Sequence, residues 1–173
     1  MKKICLLLLF LLALPCMAYR DHRGVAIDSL EAMLTSANPP KGKELLRVYL
    51  DLMRGYQNTD GRRAVKYAKL ALPLTYKFNA FNSRESVFYH LGLHAYGRDE
   101  FDTAVRYFEQ ALAVTDSMHN DSRYTPEDID DNLSQIYGAL GNLYNMQDKL
   151  LLAIEYYQKA LPIFERNGWH QSE

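Results

Sequence analysis

The chain contains little cysteine, and what it has lies near the start. Cys5 and Cys16 are its two cysteines among 173 residues, and both fall within the first eighteen. If that segment is removed, the mature chain has no disulfide and no thiol chemistry. The chain also lacks an excess of positive charge, since its formal net charge is −1. We therefore expect no nucleic-acid partner, because such proteins usually carry a basic patch.

Long apolar runs are missing except at residues 4–14, eleven apolar residues that follow Lys2 and Lys3. A helix of that length rises about 16 Å, roughly half of the hydrocarbon core of a membrane. Cys16-Met17-Ala18 follows this run and has small residues at the two positions that a signal peptidase recognises. The pattern predicts a signal peptide over residues 1–18, cleaved after Ala18, and a periplasmic or secreted protein. No stable membrane insertion is expected after cleavage.

The mature sequence lacks the two-residue alternation of a half-buried strand, so we predict an all-α fold. Apolar residues recur at helical spacing in seven segments, and Asn38-Pro39-Pro40 ends the first of them. Thr125 suits the N-cap of the sixth segment and Pro126 its first position. The predicted organisation is a leading helix within residues 19–40 and a helical array over 41–173. The predicted helices are residues 25–37, 43–57, 62–78, 84–96, 102–118, 126–146 and 149–166.

One motif occurs three times and dominates the mature sequence. The pattern Ala-Val/Ile-x-Tyr-x-x-x-Ala-Leu begins at Ala64, Ala104 and Ala153. Two helices pack at 8–10 Å only if the residues at their contact are small. The alanines of the motif, with Gly92 and Gly141 on the preceding helices, can supply such contacts. A repeat of this kind predicts stacked helix pairs, because one pair alone cannot bury its apolar face.

These residues resemble the tetratricopeptide repeat family, in which each repeat is two antiparallel helices. The resemblance implies a right-handed superhelical array of three repeats, at about residues 43–78, 84–118 and 126–167. The spacing departs from the family's period of about 34 residues, since the motif recurs after 40 and then 49. We expect the nine extra residues in 119–124 and in an early start of the next helix. The matching positions are Ala64, Ala68 and Ala71; Phe88, Leu91, Gly92, Ala104, Phe108 and Ala111; and Tyr137, Leu140, Gly141, Tyr144, Ala153, Tyr157 and Ala160.

The resemblance also implies a binding groove, because the first helix of each pair lines the inner surface of such arrays. The alternative for each residue is packing against the preceding helix. No Lys/Arg cluster is evident on this face, which argues against the carboxylate-clamp mode of chaperone-binding relatives. The groove residues implied by position are Tyr49, Met53, Tyr56, Tyr89, Leu93, Tyr96, Asn142 and Asn145.

Few residues of the sequence suggest catalysis or metal binding. His90 and His94 are four apart on one predicted helix and could share a metal, but no third ligand is evident nearby, and ordinary surface or interface histidines are the favoured interpretation. An acidic group at residues 127–131 lies at a predicted helix start, where the helix dipole favours it. We therefore predict no catalysis, no metal and no cofactor.

The leading functional hypothesis is a scaffold that binds a protein or peptide partner. The layout resembles the extracytoplasmic parts of bacterial tetratricopeptide regulators, so the chain could be the sensor or interaction portion of a larger one. The alternatives are a small-ligand or glycan-binding periplasmic protein and a structural envelope assembly factor. An uncapped last helix would also allow self-association through the C-terminal face.

Overall fold

The computed structural model describes residues 26–166, which form seven helices. The all-helical prediction is confirmed, and most predicted bounds lie within two residues of the observed ones. The fourth helix begins three residues earlier than predicted, at Phe81. The predicted signal peptide lies outside the described residues. The helices are α1 Ile27–Thr35, α2 Gly42–Tyr56, α3 Gly61–Lys77, α4 Phe81–Tyr96, α5 Phe101–Met118, α6 Pro126–Met146 and α7 Leu150–Arg166.

The helices pack as successive pairs. The most extensive contacts join α2 with α3, α4 with α5, and α6 with α7. Connections of three or four residues make each pair antiparallel. Neighbouring pairs meet through α3–α4 and α5–α6, while α4 also touches α6. None of these helices in the described part of the chain is long and apolar enough to cross a membrane.

Specific residues set the helix ends. Asp99 and Asp148 follow α4 and α6 with φ of 60° and 56°, a conformation that Asp tolerates better than most residues. The amide after each donates to the carbonyl five positions back, at 3.0 and 2.9 Å, which closes the helix as in a Schellman motif. Thr125 caps α6, because its hydroxyl accepts from the amide of Asp128 at 3.2 Å. The predicted N-cap is therefore confirmed.

Small residues allow close approach within each pair. A Cβ added at Gly92 would lie 2.6 Å from the Phe108 ring, and one at Gly141 would lie 2.5 Å from the Tyr157 ring. The motif alanines are buried as well, as the sequence predicted. Each aromatic ring therefore occupies space that only a glycine on the partner helix leaves open. The buried motif alanines are Ala64, Ala71, Ala104, Ala111, Ala153 and Ala160.

One buried cation joins the first two pairs. Arg84 on α4 is only 7% exposed, and its Nη2 donates to the carbonyl of Thr75 at 3.0 Å. Its guanidinium stacks 3.8 Å from the ring centroid of Tyr76. Arginine suits this position because its planar group can stack and donate hydrogen bonds at the same time.

The irregular segment of the array is the connection over residues 119–125. The Tyr124 ring meets Phe81 edge-on at 6.3 Å, and Arg123 donates to the carbonyl of Asn79 at 3.2 Å. The connection therefore packs back on the turn between α3 and α4. The helix that follows has 21 residues against 16 in α4, so the extra residues lie where the sequence predicted.

Candidate partner-binding groove

Three clefts lie along the surface formed by the first helices of the pairs, α2, α4 and α6. The cationic cleft has a volume of about 340 Å³ and is lined chiefly by α2, the turn before α4 and residues 123–124. The polar cleft, of about 320 Å³, is lined by Arg54, Asn82, Ser83, Glu85, Ser86, Tyr89, His90, Asn132 and Gln135. The tyrosine cleft, of about 230 Å³, is lined by Tyr89, Leu93, Tyr96, Ser134, Gln135, Gly138, Ala139, Asn142 and Phe164.

Adjacent clefts share lining residues. Arg54 and Ser83 belong to both the cationic and the polar cleft. Tyr89 and Gln135 belong to both the polar and the tyrosine cleft. The three clefts are thus consecutive parts of one groove across α2, α4 and α6.

Four of the eight sequence-predicted residues meet in the tyrosine cleft: Tyr89, Leu93, Tyr96 and Asn142. The three on α4 are half-buried, so part of each side chain faces the cleft. Asn142 is exposed, and its Oδ1 accepts a hydrogen bond from the hydroxyl of Tyr157 at 2.7 Å. Asn145 is also exposed on α6 but lies outside the lining of the three clefts.

The three predicted residues on α2 pack within the first pair. Met53 is 1% exposed and Tyr56 is 7% exposed. The Tyr56 ring stacks on Tyr67 at 6.0 Å, and its hydroxyl accepts from Nη1 of Arg63 at 2.7 Å. Tyr49 is half-buried, with its ring 6.0 Å from the same Tyr67. The rings of Tyr49 and Tyr56 therefore pack on α3, the helix that follows α2, whereas the alternative left open by the sequence was packing against the preceding helix.

A different face of α2 lines the groove, and it is basic. The cationic cleft brings together Lys43, Arg47 and Arg54 of α2 with Arg123 of the 119–125 connection. No Lys/Arg cluster was expected on the face that carries Tyr49, Met53 and Tyr56; these basic residues lie on another side of α2, which the sequence did not single out as groove lining. Two of the four cations have acidic neighbours. Nη2 of Arg123 lies 2.6 Å from Oδ2 of Asp121. Nη1 of Arg54 lies 3.9 Å from Oδ1 of Asp51, which also lines the cleft. Lys43 and Arg47 are exposed.

The polar cleft has a buried glutamate and a half-buried histidine that the sequence did not reveal as a pair. Glu85 is 5% exposed, and burial raises its pKa to about 8 although the charge of Arg54 acts in the opposite direction. Burial lowers the pKa of His90 to about 4, and Arg54 contributes to that shift. At neutral pH the cleft therefore combines a largely protonated carboxyl with a neutral imidazole. The available signal was the helical spacing of Asn82, Glu85 and Ser86, which places three polar residues on one side of α4.

The histidine pair lies mainly behind the groove. His90 and His94 line a cavity of about 160 Å³ between α2, α3 and α4, together with Met53. His94 covers the backbone of Gly61, where an added Cβ would lie 2.8 Å from the imidazole. Within residues 26–166, no group of three His, Cys, Asp or Glu side chains is placed to hold a metal ion.

The fold and groove define an all-helical protein built from packed antiparallel pairs, with a polar-to-aromatic groove on its first helices. No known family model matches the chain, and no curated protein matches it in sequence. Membership of the tetratricopeptide repeat family thus stays a prediction from the motif residues.

Proposed function

We propose that this protein is a non-catalytic module that binds an extended segment of a partner protein along the groove. The observation that carries the proposal is the continuity of the three clefts across α2, α4 and α6. A groove that crosses three helices suits an extended segment of a partner, because an extended chain advances about 3.3 Å per residue and can contact each cleft in turn.

The lining indicates the chemistry of that segment. Lys43 and Arg47 favour an acidic side chain or a carboxylate at one end. Asn132 and Gln135 offer amide donors and acceptors, which suit the backbone of an extended peptide. Tyr89 and Tyr96 favour an apolar or aromatic side chain at the other end, because such rings bury a large area at low entropic cost.

The wider setting of the proposal comes from the sequence. We infer a right-handed superhelical array of the tetratricopeptide type and export after cleavage at Ala18, to the periplasm or the outside of the cell. In that setting the chain acts as the interaction or sensor portion of a larger regulator.

Gly138 allows a sharp test of the groove. It lines the tyrosine cleft, and an added Cβ would have no atom within 4 Å. Gly138→Leu should therefore fill the cleft without disturbing the fold, while Gly138→Ala is a matched control with little added volume. Peptides are selected on the wild-type protein from a phage-displayed random library, and their Kd is measured by isothermal calorimetry. We expect the leucine variant to weaken binding at least tenfold and the alanine variant to stay within about twofold.

Equal affinity for all three proteins would refute the groove as the binding site. The same variants address the small-ligand alternative through a glycan array. Failure to select any peptide, together with glycan binding that Gly138→Leu abolishes, would favour that alternative over a protein partner.

A further inference from the structure

The last helix of the described residues, α7, has an exposed apolar face. Leu150, Ile154, Tyr157 and Leu161 follow one another at spacings of four, three and four, which places them on one side of α7. Their exposed fractions are 58%, 50%, 40% and 55%, and the adjacent Leu151 is 85% exposed. These five side chains, here named the α7 stripe, include no charged group.

The equivalent face is covered in the other two pairs. Aligning the repeated motif matches Ile154, Tyr157 and Leu161 with three positions on α3 and three on α5. All six are buried or half-buried, since α4 packs against α3 and α6 packs against α5. The α7 stripe is therefore the one copy of this surface, within the described residues, that no following helix covers. The covered equivalents are Val65, Ala68 and Leu72 on α3, and Val105, Phe108 and Leu112 on α5.

We propose that the α7 stripe binds the same stripe of a second copy of this chain, around a two-fold axis. A self-complementary interface requires a face that does not repel itself. The stripe meets this requirement because it is uncharged, and because the nearest opposite charges on α7 neutralise each other. Lys159 Nζ lies 2.7 Å from Glu155 Oε1. Two such stripes, which contain no charged side chain, meet without opposing like charges.

The available area is close to what a stable pair needs. A large side chain presents about 200 Å² when fully exposed, so the exposed fractions leave on the order of 600 Å² uncovered. That is the upper end of the apolar patches usual on monomers. A standard interface buries about 800 Å² per partner. The polar neighbours Gln158 and Glu165 on the same side of α7 would supply the polar rim of such an interface.

The test is the mass of the purified protein by sedimentation velocity at concentrations from about 5 to 200 µM. We expect a species of twice the chain mass, and a closed two-fold pair that does not grow further. Ile154→Glu combined with Leu161→Glu places like charges across the axis and should return the protein to a single chain. Leu70→Glu is the matched control, since Leu70 is 40% exposed on α3, away from the stripe.

Circular dichroism checks that each variant keeps its helices. If the double variant unfolds, Leu151→Glu replaces it, because a side chain 85% exposed contributes little to the core. Single-chain mass for the wild type at all concentrations would overturn the proposal, and so would a folded stripe variant that keeps the doubled mass. The result is independent of the groove, because Gly138→Leu should leave the mass unchanged.

Discussion

Replacing Glu85 with glutamine removes a buried ionisable group without changing the shape of the polar cleft. Glu85 is 5% exposed, and burial raises the pKa of its carboxyl from 4.5 to about 8. Between these two values the folded protein holds a proton that the unfolded chain has released. The free energy of unfolding should therefore fall as the pH rises from 4.5 to 8, and Glu85 should add no slope outside that window.

The size of the effect follows from the pKa shift. Each pKa unit corresponds to about 1.4 kcal/mol, so the shift from 4.5 to about 8 should lower the free energy of unfolding by about 5 kcal/mol well above pH 8 and by about 3 kcal/mol at pH 7. Glutamine is neutral at every pH and avoids this cost. His90 contributes the opposite slope, because its lowered pKa makes stability fall as the pH drops from 6.5 towards 4. It does so in both proteins, so its contribution cancels in the difference.

The assay is urea unfolding followed by circular dichroism at intervals from pH 4.5 to 8.5. We expect the free energy of unfolding of Glu85→Gln, relative to that of the wild type, to rise by several kcal/mol from pH 4.5 to 8.5. This rise does not depend on how far the two proteins differ at pH 4.5. Glu109→Gln is the control, because it makes the same substitution at a residue that is exposed on α5. Parallel pH profiles for wild type and Glu85→Gln would refute the burial of this carboxyl.

Two further predictions concern packing, and urea unfolding at pH 7 checks both. Three glycine-to-alanine substitutions should differ in their effect on the free energy of unfolding. Gly92→Ala should lower it by about 1–3 kcal/mol, because the facing Phe108 ring is fully buried and cannot move. Gly141→Ala should lower it less, since the facing Tyr157 is 40% exposed and can rotate away. Gly138→Ala should raise the free energy of unfolding by about 0.5–1 kcal/mol, because alanine has the higher helix propensity. A different order would contradict the proposed contacts. Arg84→Lys should cost about 1–3 kcal/mol, because lysine cannot stack on Tyr76 and donate to the α3 carbonyl together; an unchanged unfolding midpoint would show that the stacked geometry is unimportant.

The fold was largely predictable because its signals are local. Helical periodicity, the Asn38-Pro39-Pro40 break and the Thr125 cap each act over a few residues. The motif alanines, Gly92 and Gly141 identified the contacts within pairs because close helix packing tolerates few residue types. The early start of α4 at Phe81 was missed, since the residue before it makes no side-chain cap and its partner Tyr124 is 43 residues away.

The groove was only partly predictable because it depends on how each helix is rotated about its axis. Tyr56 and Lys43 lie on the same helix, but one packs against α3 and the other lines the cationic cleft. Aromatic and basic residues of α2 both recur at helical spacing, so periodicity alone did not show which side of the helix lines the groove. Arg123 joins the cleft from a distant connection, a long-range contact with no local signal. The buried Glu85 was missed because a carboxyl is seldom fully buried.

The central claim, that partners bind along α2, α4 and α6, is tested most directly by amide chemical-shift mapping. The ¹⁵N-labelled protein is titrated with the tightest peptide from the library selection. We predict that the largest shift changes fall on α4 and α6 around Asn82, Tyr89, Gln135 and Gly138, with small changes on α3 and α5. Changes concentrated on α3, α5 or the α7 stripe, with the groove amides unmoved, would contradict the account.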